Sequence, residues 1–279
     1  MDTSISRVQL PPNPASVRML TTNESQGLNL RFPASKTTVE NCVTCKGRKE
    51  FRWYDAEGQI ALYDCPCAEQ YVLSRYLWHC GITIRYQRMA WRDLTRLHPD
   101  AAREVSEYLG MLEGAVDAGI GIIFTGPPGT GKTLLSHLVV KDVIARGFDA
   151  YATTFSQMID FFAEGWSSKE QSQWFKARLR DTRILLIDDL GREKNKGIGT
   201  VGENMLETVI RHRVACQLPT IITSNENRDT IDSLYGLNTA SLLKECSTII
   251  EVLGTDSRSA AYDDKLAEQR LNITRPVML

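Results

Sequence analysis

The sequence has 279 residues, of which 42% are hydrophobic and 24% charged, as in globular proteins with room for one large domain and a small one. The net charge of −1 excludes binding to nucleic acid through overall charge, so any such affinity would need a local basic patch. The N-terminus has no basic flank before an apolar run, and the longest apolar runs are far too short to cross a bilayer. We therefore expect no signal peptide, no membrane association and a cytoplasmic protein.

The N-terminal part of the chain is predicted to form a flexible arm followed by a small cysteine-containing unit. Residues 1–40 are rich in Ser, Thr, Asn and Pro and show no helical or strand period. Residues 42–67 contain four cysteines, and two β-prone runs flank a turn at 55–58, which predicts a hairpin. An apolar period over 68–79 then predicts a helix that leads into a connector at 81–94.

From Pro99 onward, helical stretches alternate with short apolar strands. We predict helices over 99–119, 132–147, 155–164, 168–181, 200–215 and 228–235. We predict strands over 121–125, 150–154, 184–188, 220–223 and 248–252. Short apolar strands separated by helices indicate an α/β fold in which a five-stranded parallel sheet is covered on both faces.

The segment GPPGTGKT at 126–133 lies between a predicted strand and a predicted helix and matches the phosphate-loop pattern G-x-x-x-x-G-K-[ST]. Its glycines let backbone N–H groups point at phosphate oxygens, and the following helix presents its positive N-terminal end to the same anion. Lys132 is expected to reach the β- and γ-phosphates of a nucleotide, and the Thr133 hydroxyl to ligate Mg²⁺. The alternative is a Gly/Pro-rich turn without a ligand. The predicted nucleotide-binding residues of this segment are Gly126, Pro127, Pro128, Gly129, Thr130, Gly131, Lys132, Thr133 and Leu134.

Polar residues at the ends of two further strands fit a magnesium nucleotide. Asp188 ends the strand ILLID and is suited to hold Mg²⁺ through water. Asp189 is suited to orient or deprotonate the attacking water, with a mere turn cap as the alternative. Asn225, within PTIITSN, is suited to position that water beside the γ-phosphate. The predicted catalytic residues are Lys132, Asp188, Asp189 and Asn225.

The order of these motifs resembles a known family. GPPGTGKT, LLIDDLG and PTIITSN, with GITIRYQRMAWRDL at 81–94, are similar to the DnaC/IstB-type AAA+ ATPases over roughly residues 68–258. These include bacterial and phage loaders of the replicative helicase and the ATPase helpers of some transposases. The resemblance implies an AAA+ core with the phosphate-loop strand beside the Asn225 strand, ATP bound at a subunit junction, and adenine near residues 81–86. It also implies the absence of a C-terminal helical lid, and few residues follow the strand at 248–252.

The sequence departs from that family in its arginines. AAA+ assemblies complete each site with an arginine from the neighbouring subunit, which this family carries on the helix before the last strand. Here that segment reads LNTASLLKECS, where Lys244 is the only basic residue and cannot reproduce a bidentate guanidinium. We therefore expect slow hydrolysis by the protein alone. Arg258 in GTDSR resembles the family's later arginine and is expected to bind phosphate within its own subunit, the alternative being a solvated side chain.

A basic cluster next to two aromatic residues predicts a surface for single-stranded DNA. Trp174 and Phe175 precede the cluster, and phosphate neutralisation combined with base stacking suits a single strand. In DnaC-like proteins an extra helix in this region is associated with single-stranded DNA, and the basic loop at 191–199 is suited to couple DNA to ATP. A solvated helix face and a solvated loop are the alternative. The predicted DNA-contacting residues are Lys176, Arg178, Arg180 and Arg183.

Two cysteine pairs, C-x-x-C at 42–45 and C-x-C at 65–67, flank the predicted hairpin. Tetrahedral Zn²⁺ commonly takes four thiolates as two pairs from two turns, and a hairpin would bring both turns to one end, as in a zinc ribbon. Similar four-cysteine modules precede the ATPase in a number of phage-type DnaC-like proteins. Replacement of one ligand by Cys80 or His79, an iron–sulfur cluster, and free thiols are the alternatives. The predicted zinc ligands are Cys42, Cys45, Cys65 and Cys67.

We predict a flexible arm over 1–40, a zinc-binding module with the start of a connecting helix over 41–80, and an AAA+ ATPase domain with a C-terminal tail over 81–279. The resemblance implies an ATP-dependent loader that binds the replicative hexameric helicase and single-stranded DNA and self-associates into a ring or spiral. ATP, Mg²⁺ and Zn²⁺ are the expected cofactors. One alternative is an IstB-like transposition-helper ATPase that acts with a transposase on duplex DNA. Another is an ATP-binding assembly regulator that does not hydrolyse ATP.

Overall fold

The computed structural model describes most of the chain from residue 48 onward. The described residues are 48, 50–54, 60–94, 99–163, 169–191, 199–226, 236–271 and 275–279. Several predictions lie outside them: the N-terminal arm, Cys42 and Cys45, the turn at 55–58, most of the basic loop at 191–199, and the helix predicted over 228–235.

The predicted hairpin is confirmed. Strand β1 (Glu50–Tyr54) pairs antiparallel with strand β2 (Ile60–Asp64), and its register sets Glu50 opposite Asp64 and Tyr54 opposite Ile60. Both runs are rich in aromatic and β-branched residues, which favour extended backbone. Helix α1 begins at Pro66, one residue after Cys65, so the end of the hairpin leads directly into the connecting helix.

The central sheet has the five parallel strands that the sequence predicts. They are β3 (Gly121–Thr125), β4 (Ala150–Thr154), β5 (Ile184–Leu190), β6 (Thr220–Ser224) and β7 (Ser247–Glu251). Their spatial order is β4-β5-β6-β3-β7, and every neighbouring pair is parallel. The phosphate-loop strand β3 therefore lies beside β6, the strand that Asn225 follows, as the family resemblance implies. Since parallel strands end at the same edge, the polar residues after β3, β5 and β6 share that edge.

Helices connect these strands. They are α1 (Pro66–His79), α2 (Ile84–Gln87), α3 (Pro99–Gly110), α4 (Leu112–Ala118), α5 (Lys132–Ala145), α6 (Phe155–Ala163), α7 (Lys169–Asp181), α8 (Gly199–Ala215), α9 (Gly236–Glu245) and α10 (Arg258–Arg270). The single helix predicted over 99–119 is wrong in one respect, because it is broken into α3 and α4 at Met111, next to the poor helix former Gly110. None of the described helices is long and apolar enough to cross a bilayer.

The core has two parts, one on each face of the sheet. Side chains alternate between faces along a strand, so Ile122 and Phe124 of β3 enter one cluster and Ile123 enters the other. The first cluster includes residues of α1, α3, α4 and α5, and the second includes residues of α6, α7 and α8. Leu73 and Leu77 of α1 are fully buried in the first cluster, so the connecting helix packs into the same core as the sheet.

After helix α10, residues 275–279 return to the connecting helix and the connector. The Val277 backbone N–H donates to the Gln70 side chain at 2.6 Å, and the Met278 N–H donates to the carbonyl oxygen of Gln87 at 2.9 Å. Arg275 forms ion pairs with Asp93 in the connector and with Glu268 in α10. The C-terminal tail thus fastens α10 to the elements that precede the sheet.

Candidate nucleotide site

The phosphate loop joins β3 to α5 and requires glycine at two positions. Gly126 has a φ of 132°, and a Cβ there would lie 2.4 Å from the carbonyl oxygen of Val252. Gly129 has a φ of 83°, and a Cβ there would lie 2.3 Å from the carboxyl group of Asp256. Pro127 and Pro128 are exposed on the loop, whereas Thr133 and Leu134 in the first turn of α5 are half-buried. The loop therefore brings its backbone to the helix N-terminus without side chains in the way, as an anion site needs.

Lys132 is held by the loop itself. Its Nζ donates to the carbonyl oxygens of Gly126 and Pro127, each at 2.7 Å. Burial lowers the pKa of Lys132 to about 8, while Asp189 and Asp188 act in the opposite direction. An ammonium group that two carbonyls satisfy in this way can exchange them for phosphate oxygens, which are stronger acceptors because they are charged.

The predicted magnesium ligands lie together at the end of β5. Asp188 is buried, accepts a hydrogen bond from the Thr223 hydroxyl at 2.5 Å, and is also hydrogen-bonded to the Thr133 side chain. Burial raises the pKa of Asp188 to about 6, and these hydrogen bonds oppose the rise. Asp189, the next residue, has a φ of 58°, which is unusual for a residue with a side chain. A carboxylate and a hydroxyl beside a phosphate loop are ligands that Mg²⁺ accepts, so the residues fit this ion.

Asn225 and Arg258 are the remaining residues predicted to act on the nucleotide. Asn225 is exposed and directly follows β6, the strand between β5 and β3. Arg258 begins α10, and its charge lowers the pKa of Lys132, although burial is the larger cause. The preceding Ser257 binds the loop, since its backbone N–H and its hydroxyl both donate to the carbonyl oxygen of Gly129 at 3.0 Å. No sequence pattern marks this role of Ser257.

The connector reaches the phosphate-loop helix through an aromatic stack. Tyr86 of α2 stacks on His137 of α5 with ring centroids 4.1 Å apart, and His137 Nδ1 donates to the carbonyl oxygen of Thr133 at 2.8 Å. Burial raises the pKa of Tyr86, and Asp188 and Asp189 contribute in the same direction. Burial lowers the pKa of His137 to about 4, which keeps the ring neutral. The sequence alone assigned no role to His137.

Of the four predicted DNA-binding residues, two form ion pairs with aspartates and two are exposed. Arg178 is paired with Asp149 at 3.2 Å and lies over the Tyr151 ring at 5.2 Å. Arg183 is paired with Asp117 at 2.8 Å. Lys176 and Arg180 are exposed, and Arg180 contacts His212 at 3.0 Å. Of the two aromatic residues before them, Phe175 is fully buried and Trp174 packs edge-on against Tyr151.

Two of the four predicted zinc ligands are described. Cys65 and Cys67 are buried at the start of α1. Cys80, an alternative ligand, is also buried, and burial raises the pKa of its thiol to about 12, which disfavours the thiolate that a metal needs. Burial lowers the pKa of His79. Within the described ranges, which omit Cys42 and Cys45, no three His, Cys, Asp or Glu side chains are grouped to hold a metal ion.

Comparisons with known proteins agree with this geometry. Residues 122–241 match the family model "ATPase family associated with various cellular activities (AAA)". The ATP-dependent zinc metalloprotease FTSH 6, chloroplastic, of Arabidopsis thaliana is 31% identical over 92 residues, which are 32% of this chain and 13% of that protein. The ATP-dependent zinc metalloprotease FtsH 4 of Sphaerobacter thermophilus is 28% identical over 120 residues, which are 39% of this chain and 18% of that protein. The chain thus spans less than a fifth of these curated relatives.

Among solved structures, the crystal structure of the DnaC helicase loader is similar over 61% of this chain and 100% of that chain. The TM-score is 0.50 and the sequence identity is 22%, so the likeness concerns the fold. The AAA match implies binding of ATP and Mg²⁺, which the phosphate loop and the carboxylates beside it fit. Residues 122–241 therefore match the AAA ATPase family model, on a fold similar to that of the DnaC helicase loader.

Proposed function

We propose that the protein is an ATP-dependent loader of a replicative hexameric helicase, and that it holds single-stranded DNA as an oligomer. The observation that carries this proposal is the match to the whole DnaC helicase loader chain, on a fold whose phosphate loop and acidic strand end are complete. Fold alone does not determine function, so the choice of loader is a proposal that binding experiments must test.

The geometry supports a specific division of roles in ATP hydrolysis. Lys132 exchanges its loop carbonyls for the β- and γ-phosphates, and Thr133 and Asp188 would hold Mg²⁺, which would supply charge neutralisation. Asn225 orients a water molecule whose oxygen attacks the γ-phosphorus. Asp189 accepts the proton that this water loses. The bond from the γ-phosphorus to the bridging oxygen breaks, and ADP and phosphate leave.

The expected nucleotide turnover is slow. Helix α9 precedes the last strand and carries only one basic residue, Lys244, which is exposed. A lysine is a point charge, so it cannot stabilise the transferring phosphoryl group as a bidentate arginine does. ATP would then act mainly as a signal for assembly into a ring or spiral, while Arg258 binds phosphate from within the subunit.

The proposed DNA surface uses the exposed residues of α7. Lys176 and Arg180 are exposed on that helix, where phosphates can reach them, whereas Arg178 is paired with Asp149 and Arg183 with Asp117. The buried Phe175 supports packing of the helix and not stacking of a base. This narrows the predicted DNA contacts to two of the four basic residues.

We keep the four-cysteine zinc module as part of the proposal. The hairpin sets Glu50, the first residue of β1, opposite Asp64, the residue before Cys65. That geometry supports a shared site for Cys42, Cys45, Cys65 and Cys67. Metal analysis of the purified protein tests it: we expect one zinc ion per chain, lost in Cys65→Ser, whereas iron or no metal would contradict it.

The absence of an arginine on α9 favours one second candidate, a regulator that binds ATP without useful hydrolysis. Measuring ATP turnover with and without single-stranded DNA separates the two. Stimulation by DNA supports the loader. Undetectable turnover together with ATP-dependent assembly supports the regulator.

The test of the proposed function is retention of a helicase. The full chain is immobilised with ATP and mixed with the purified replicative hexameric helicase from the same source. We expect retention that falls with the Lys132→Ala variant. Failure to retain the helicase would contradict the loader, and retention of a transposase with duplex DNA in a parallel experiment would favour the transposition helper.

A further inference from the structure

A β-bulge lies at the point where the two acidic residues leave the sheet. The parallel register of β5 and β6 shifts between Ile187 and Leu190. Two residues of β5, Asp188 and Asp189, therefore oppose one residue of β6, Thr223. Bulges of this kind re-aim side chains next to functional sites, and they leave ladder groups without their usual partners.

The Thr223 hydroxyl forms hydrogen bonds with both acidic residues of the bulge. It donates to Asp188 Oδ1 at 2.5 Å and accepts from the backbone N–H of Asp189 at 2.9 Å. Thr223 is 1% exposed, so water does not compete for either bond. One buried side chain thus holds the carboxylate of the first acidic residue and the backbone of the second.

The next residue of β6 extends the same arrangement. The Ser224 hydroxyl donates to the carbonyl oxygen of Leu190 at 3.0 Å and accepts from the backbone N–H of Glu226 at 3.2 Å. Two consecutive hydroxyl side chains therefore replace ladder hydrogen bonds around the bulge. This explains why the apolar strand TIIT ends in polar residues, a feature that strand propensity alone does not predict.

We infer that Thr223 is a positioning residue for ATP hydrolysis, because its hydroxyl fixes the rotation of the Asp188 carboxylate and the left-handed backbone of Asp189 at once. This inference rests on the proposed function of the site and assigns it a further residue. Bonded at Oδ1, Asp188 has a fixed orientation toward Thr133, the residue with which it would hold Mg²⁺. The bond to the Asp189 N–H stabilises a φ of 58°, which an aspartate adopts rarely, and so directs the second carboxylate.

Three substitutions in the full chain test the inference. Thr223→Val removes both bonds with little change in shape, and Thr223→Ser keeps the hydroxyl. Thr220→Val is the matched control, because Thr220 lies at the other end of the same strand and its hydroxyl accepts from Arg213 Nε at 3.0 Å. ATP affinity is measured over a range of Mg²⁺ concentrations and in EDTA, together with single-turnover hydrolysis.

We expect Thr223→Val to raise the half-saturating Mg²⁺ concentration about tenfold and to slow hydrolysis about tenfold to a hundredfold, since it removes a buried bond to a charged group. Its ATP affinity in EDTA should stay within about threefold of the unaltered protein, because the phosphate loop is untouched. Thr223→Ser should restore both values, and Thr220→Val should change neither. If Thr223→Val is insoluble, Thr223→Ala is measured with the same expectations.

The outcomes distinguish failure of the positioning role of Thr223 from failure of the proposed function. If the unaltered protein binds ATP but Thr223→Val has the same Mg²⁺ dependence and rate, or Thr223→Ser fails to restore them, the positioning role is wrong and the proposed function stands. If the unaltered protein binds no ATP at any Mg²⁺ concentration, both are overturned.

Discussion

Helix α5 carries a buried lysine near each end, and main-chain carbonyl oxygens hold both. Lys132 donates to the carbonyls of Gly126 and Pro127 at 2.7 Å. Lys141 donates to carbonyls of the connector, including that of Met89 at 2.7 Å. Burial lowers the pKa of each lysine to about 8. By hydrogen bonds and burial alone, the two ends of the helix look alike.

The surroundings of the two lysines differ. Lys132 lies within a loop of glycines, and two carboxylates, Asp188 and Asp189, raise its pKa. Among the described residues, the one carboxylate that raises the pKa of Lys141 is Asp93. Lys141 instead caps the carbonyl end of the short helix α2. A buried lysine with carbonyl partners therefore does not mark a binding site, and the acidic and glycine-rich neighbours do.

The largest effect is expected at Lys132, the lysine of the phosphate loop. Lys132→Ala should lower the affinity for ATP about a hundredfold, because it removes charge-assisted bonds to phosphate. Fluorescent-nucleotide titration of the full chain measures this loss. An affinity within a few-fold of the unaltered protein would mean that Lys132 has the same capping role as Lys141.

Replacement of Lys141 should lower the stability of the protein but leave its affinity for ATP unchanged. Lys141→Met keeps the length of the side chain but leaves connector carbonyls without a donor, so the free energy of unfolding should fall by about 1–3 kcal/mol. Urea denaturation measures it, with ATP affinity as the control, which should stay within about threefold. A large loss of affinity without loss of stability would contradict this separation.

His137 lies between these two lysines on helix α5, and its burial predicts that the stability of the protein depends on pH. Its folded pKa of about 4 lies below the ordinary value of 6.5, because burial disfavours the charged ring. Between pH 4 and 6.5 the unfolded state therefore binds more protons than the folded state. The free energy of unfolding should thus be highest above about pH 6.5 and should fall by about 3 kcal/mol as the pH decreases toward 4.

His137→Asn provides the measurement for that window. Asparagine keeps a donor for the Thr133 carbonyl oxygen but does not titrate. The stability of the unaltered protein relative to the variant should decrease as the pH falls from 6.5 to 4. Burial raises the pKa of Asp188 to about 6, which acts in the opposite direction, but this carboxyl is present in both proteins and cancels in the difference. A constant difference across the window would contradict the buried neutral ring.

The smallest effect on binding is expected on α7, where the same distinction separates neighbouring arginines. Arg180→Ala should weaken binding of a labelled single-stranded oligonucleotide about threefold and lower its salt dependence. Arg178→Ala should leave that affinity unchanged and lower the free energy of unfolding by about 1–3 kcal/mol, because Asp149 and the Ala150 carbonyl lose their partner. The reverse pattern would mean that Arg178 leaves Asp149 to bind DNA.

The sequence predicts the elements whose signal is local. The five strands are short apolar runs, and the phosphate loop depends on glycines at fixed spacing, so both could be read before the structure. Charge patterns are less informative, because Arg178 and Arg183 are paired with acidic residues, Asp149 and Asp117, that are distant in sequence.

What could not be predicted depends on contacts between separate elements. The bulge opposite Thr223 arises from the register of two strands, and the bonds of Ser257 to Gly129 arise from the return of the chain after β7. The His137 ring has a role because Tyr86 of the connector stacks on it. No periodicity within one segment contains this information.

The docking of the C-terminal tail has a consequence for synthesis of the protein. The hydrogen bonds between Gln70 and Val277 join residues 207 positions apart. Helix α1 therefore cannot complete its polar contacts until Val277 has left the ribosome, long after the helix itself has emerged. Contacts between residues so far apart in sequence form slowly. Docking of the C-terminal tail on helix α1 should therefore be among the last events in the folding of the nascent chain.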